Sequence, residues 1–136
     1  TRDGGFIYKS NSYASFAGSA FPRSAAGVCI LFSLGDYDSK IIKKGFKYLL
    51  KNYRAKNAFP YYADYYCTQP MFQAGGPYWP EYFPYIRSKL LKKQCSNGSW
   101  NKGSWNKGSN GGPPQATAMA LIILQIPYRY LPIVER

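Results

Sequence analysis

Asp64 is set inside an aromatic run, Tyr61-Tyr62-Ala63-Asp64-Tyr65-Tyr66. A carboxyl group in apolar surroundings resists ionisation, so a residue in that position can act as an acid. The same residue can instead be a structural carboxylate, hydrogen-bonded to tyrosine hydroxyls or paired with an Arg or Lys. The rings of Tyr61, Tyr65 and Tyr66, together with Trp79, can line a cavity and stabilise a cation through their faces. They can also simply fill a core. The chain has no His. A Ser or Cys nucleophile served by a His base is therefore excluded, and so is a zinc site that requires His. No metal and no cofactor is expected. Cys29, Cys67 and Cys95 fit either one disulfide plus a free thiol or three buried thiols.

Five stretches have the pattern of helices that would position these groups. Residues 24–34 are apolar almost all round and Gly35 follows them; residues 115–125 are apolar all round and Pro127 closes them. Both read as buried helices. Residues 61–74 form the aromatic helix, which Pro70 is expected to kink or interrupt. Residues 39–53 and 80–93 are amphipathic. The first sets Ile42, Phe46 and Leu49 against Lys40, Lys43, Lys44, Lys47 and Lys51. The second sets Tyr82, Phe83, Ile86 and Leu90 against Arg87, Lys89, Lys92 and Lys93. Alternation of buried and amphipathic helices is the pattern of stacked αα-hairpins in two layers, with the apolar helices inside. The expected fold is all-α, a single domain over residues 1–136.

An internal repeat supports this organisation. Asp3-Gly4-Gly5-Phe6 matches Asn97-Gly98-Ser99-Trp100 at an offset of 94, and residues 24–28 match 117–121 at an offset of 93. That offset holds two hairpins. Residues 101–114 repeat Asn-Lys-Gly-Ser and read as a surface loop.

The chain of 136 residues carries 18 Lys and Arg against 6 Asp and Glu, a net charge of +12. Such an excess bears on partners rather than fold. It makes anionic polymers, acidic proteins and anionic lipid surfaces the physical candidates, although no motif for specific nucleic-acid binding is present. The best apolar run, residues 116–126, is half the length that a membrane span of about 20 residues needs, so no transmembrane segment is expected. The first residue is Thr1, which suggests a processed or incomplete N-terminus. The compartment stays open, with secreted and periplasmic locations compatible.

Gln94-Cys95-Ser96-Asn97-Gly98-Ser99-Trp100 resembles the QW motif of the squalene and hopene cyclases. In that family the Gln caps a neighbouring helix end and stacks on the Trp, tying hairpins together. Gln94, Gly98 and Trp100 take those places here. Residues 24–28, 61–66 with Gln69 and Gln73, 116–121 and 127–133 resemble the bacterial prenyltransferase and squalene-oxidase repeat proteins. The resemblance covers nearly the whole chain and implies a partial α/α toroid.

Its chemistry is not implied. The Asp-x-Asp-Asp acid of the cyclases is absent, and Asp36-Tyr37-Asp38 reads as a turn and helix cap. The zinc ligands of the protein prenyltransferases lack their His. The expectation is a non-catalytic repeat module that binds or assembles with other protein subunits, its own copies among them. The alternative is a cyclase-like or prenyltransferase-like enzyme, or an isoprenoid-binding protein, whose remaining part is missing. In that case Asp64 would be the catalytic candidate and an apolar ligand would lie against the tyrosines.

Overall fold

A computed structural model describes residues 1–8, 18–57, 59–100 and 112–130. Every regular element among them is helical: α1 (Phe21–Ser33), α2 (Lys40–Asn52), α3 (Pro60–Ala74), α4 (Tyr78–Leu91) and α5 (Gly112–Gln125). A short 3-10 turn, Ile126–Tyr128, follows α5. The protein is all-α, as its periodicity indicates. Residues 101–111 of the expected loop lie outside the described residues. The last three positions of that stretch, 112–114, form the first turn of α5 instead.

Proline placement explains where the helices begin. Pro22 and Pro60 stand at the first or second position of α1 and α3, where a missing N–H costs nothing because no carbonyl precedes to receive it. Pro80 in α4 and Pro113 and Pro114 in α5 occupy first turns in the same way. Pro70 does not interrupt α3, which runs unbroken to Ala74. The Asp36–Asp38 stretch forms the turn before α2. Asp36 accepts hydrogen bonds from the Ser39 amide and hydroxyl at 3.1 and 2.7 Å. Ser39 Oγ in turn accepts from the Ile42 amide at 3.2 Å, the bond of an N-cap.

The helices pack as α1 on α2, α3 on α4, and α3 between α1 and α5. The apolar helices thus form one row, and the two lysine-bearing helices lie on its outer side. Lys40, Lys43, Lys44, Lys47 and Lys51 are all exposed. α2 approaches α1 closely because residue 45 is Gly. A Cβ there would stand 2.5 Å from Val28 Cγ2, nearer than side chains tolerate. Aromatic contacts join the outer helices, with Phe46 stacked on Tyr78 at 4.5 Å and Tyr53 edge-on to Tyr82 at 5.5 Å.

One expectation needs correction. α1 and α5 are not buried all round, because Ile30 is 56% and Leu121 43% exposed. Among the described residues the row of apolar helices is open at both sides, and only α3 has helices on either flank. Of the two cysteine readings, the free-thiol one holds: Cys29 and Cys67 are buried thiols, and Cys95 is a half-buried one.

Candidate functional site

α3 and α4 place a polar cluster in the interior. Asp64 is 2% exposed and accepts two hydrogen bonds from Lys89 Nζ, at 2.9 and 2.7 Å. This is the one salt bridge among the described residues. Burial pushes the Asp64 carboxyl above the ordinary carboxylate range. The Lys89 ammonium pulls it back by charge and by hydrogen bonding, and Lys93 by charge. Beside the pair, Thr68 Oγ1 donates to the Asp64 backbone carbonyl at 2.6 Å and lies 3.1 Å from the Tyr82 hydroxyl. Burial raises the Tyr82 phenol and the Cys67 thiol far above their usual values, so both stay protonated and neither is an activated nucleophile. Of the two sequence readings of Asp64, the geometry has the form of the paired carboxylate.

The other candidates do not converge on it as a group. Tyr61 is 5% exposed and belongs to the core at the start of α3. Tyr65 and Tyr66 are half-buried, their rings edge-on at 5.1 Å, and Tyr62 packs on Tyr66 at 4.7 Å. Trp79 is stacked on Phe83 at 4.4 Å and meets Phe72 at 5.0 Å. Tyr61 and Phe72 are separated by about 16 Å of helix rise. Trp79 therefore lies at the opposite end of α3 from Tyr61, and the two do not face one groove. The surface concavities formed by the described residues, of about 230 to 600 Å³, are lined by other residues. The described residues contain no group of three or more His, Cys, Asp or Glu placed to hold a metal ion. None of their helices is long and apolar enough to cross a membrane.

Gln94, Gly98 and Trp100 do come together. Gln94 Nε2 donates to the Gly98 carbonyl at 3.0 Å, inside its own turn. It is the Trp100 indole, 1% exposed, that reaches a helix end, donating to the Leu90 carbonyl at 2.8 Å. The Trp thus adds a second donor to a carbonyl in the last turn of α4, which also accepts from the Lys93 amide at 2.9 Å.

The same turn occurs twice. The Thr1 nitrogen donates to the Gly5 carbonyl and Cys95 N–H to that of Ser99, at 3.0 and 2.8 Å. Gly4 bonds back to Thr1 at 3.3 Å and Gly98 to Cys95 at 2.9 Å. Asp3 accepts from the Gly5 amide and Asn97 from the Ser99 amide, at 3.0 and 3.1 Å. Finally Phe6 N–H donates to Ser24 Oγ at 2.9 Å, and Trp100 N–H to Thr117 Oγ1 at 3.0 Å. Gly4 and Gly98, at φ of 89° and 82°, supply the left-handed residue the turn requires. The repeat seen in the letters is a repeat in hydrogen bonds. In each copy the turn is locked onto the next inner helix by a hydroxyl in that helix's first half.

No family model matches the chain, and comparison with curated proteins and with solved structures finds no match either. The fold and the site together define an all-α protein of packed helical hairpins with a repeated interhairpin turn.

Proposed function

We propose that the chain is a non-catalytic helical-repeat module, related to the terpene-cyclase and prenyltransferase α/α toroids, that acts by binding or assembling with other protein. The observation that carries this reading is the state of Asp64. Protonating an alkene requires an acid that is uncharged, accessible and free to donate. Both oxygens of Asp64 are held by Lys89 and the side chain is closed off from solvent. Prenyl transfer to a thiol requires a metal-held thiolate, for which the sequence offers no His. A helical array that presents surfaces without chemistry fits what remains.

The purified chain, incubated with squalene and separately with prenyl diphosphates plus zinc, is expected to yield neither cyclised nor transferred product. A product formed by the native chain and lost in Asp64→Asn would overturn the proposal and make Asp64 catalytic.

A further inference from the structure

The two copies of the repeat are covered differently, and the difference identifies a docking groove and its occupant. In the first copy, α2 lies over α1 and over the turn at Gly4 and Gly5. Ala25 and Val28 are wholly buried and Phe32 is 3% exposed. Gly45 of α2 sits against Val28, and Phe46 meets Phe32 at 5.7 Å. In the second copy the matching positions on α5 are Ala118, Leu121 and Gln125, and all three are exposed. The opposite flank is reversed: Ile30 of α1 is 56% exposed, whereas its counterpart Ile123 of α5 is fully buried, with α3 packed on α5. α5 is thus an inner helix with its neighbour in place and its outer helix lacking among the described residues. Where that helix would lie there is a concavity of about 600 Å³, lined by Ser99, Pro113, Pro114, Thr117, Ala118 and Leu121.

We infer that this groove takes an amphipathic helix of the α2 kind, one that a separate peptide can supply. The inference rests on the binding reading above and names its partner. The concavity reaches from Pro113 to Leu121, and the exposed face of α5 continues to Gln125, about 18 Å of rise in all; α2 with its 13 residues is about 20 Å long. The occupant must keep an apolar stripe toward α5, as Ile42, Phe46 and Leu49 do toward α1. It must also carry a small residue opposite Leu121, where Gly45 meets Val28. One feature must change. A Cβ at Gly5 would lie 2.7 Å from Tyr48 Cε2, and the second copy has Ser99 there. The occupant therefore carries a side chain smaller than Tyr at that place.

The probe is a labelled peptide of residues 38–54 with Tyr48→Ala and with its five outward lysines (40, 43, 44, 47 and 51) changed to Gln, so that repulsion from the basic chain does not mask binding. Fluorescence anisotropy in 0.15 M salt should show saturable binding to the intact chain. Leu121→Asp, an exposed position whose change leaves the fold intact by circular dichroism, should weaken it at least tenfold. Ile30→Asp on the opposite flank should leave it unchanged. Absence of binding, equal binding of a scrambled peptide, or indifference to Leu121→Asp would overturn the inference. So would self-association of the chain through Leu121 that the peptide cannot displace, since the occupant would then be a second copy's surface. None of these outcomes is a turnover measurement, so the groove can fail while the non-catalytic reading stands, and the reverse.

Discussion

The Asp64–Lys89 pair shows how a buried charge becomes tolerable and where it stays vulnerable. The two residues are unequally placed, since Asp64 is 2% exposed and Lys89 17%. Removing the lysine leaves a carboxylate with no other ammonium bonded to it. Lys89→Met should therefore cost about 3–5 kcal/mol at neutral pH, and the double change with Asp64→Leu should recover most of it. The pH dependence has a definite sign. A carboxyl whose folded pKa is raised supports the fold fully below its unfolded value near 4, and that support is lost as pH rises through the folded value. Without Lys89 the carboxyl rises further, so the penalty of Lys89→Met should shrink toward acid pH. Urea midpoints at pH 4 and pH 8 measure it; a penalty unchanged between them would show that Asp64 is not the buried charge. The sequence pointed to Asp64 but not to its partner, because Lys89 was grouped with the polar residues of its helix. The signal was present: Tyr82, Ile86 and Lys89 fall at four- and three-residue spacing, on the stripe that faces the core.

At the scale of elements, helix existence was legible and helix ends were less so. Apolar patterning, all round in the inner helices and on one face in the outer ones, marks all five helices, because burial of apolar surface is what makes these segments fold. The pattern starts α1, α4 and α5 at Ser24, Pro80 and Gln115, two or three residues inside their actual starts at Phe21, Tyr78 and Gly112. Prolines are as much at home in a first turn as in a loop, and the letters do not distinguish the two. The join between α4 and α5 rests on Trp100, which fills the core and caps α4 with its indole N–H. Trp100→Ala should destabilise by roughly 3–5 kcal/mol. Trp100→Phe, which keeps most of the packing and loses only the indole bond to a Leu90 carbonyl that the Lys93 amide still holds, should cost about 0.5–1.5 kcal/mol. Equal losses in a denaturation series would mean that the hydrogen bond contributes nothing.

At the scale of the whole molecule, the arrangement is a short row with two open sides, and cover is graded across it. α3 touches α1, α4 and α5, whereas among the described residues α5 lacks the outer helix that α1 has. Amide hydrogen exchange should therefore be slowest in α3 and faster in α5 than in α1; protection of α5 equal to that of α3 would contradict the packing described. This grading was not legible in the letters. Residues 115–125 are apolar on every side, and hydropathy says what a helix would like to bury, not whether a neighbour is there to bury it. The repeat itself was legible, because its turn makes unusual demands. Those demands are few: a backbone in one particular shape, a glycine at Gly4 and Gly98, an Asx side chain at Asp3 and Asn97, and a hydroxyl at Ser24 and Thr117. The remaining bonds that both copies share are main chain to main chain, indifferent to which side chains the joint carries. A duplicated ancestor could exchange most of its letters and still close the same joints, so descent in this architecture can outlast any visible kinship of sequence.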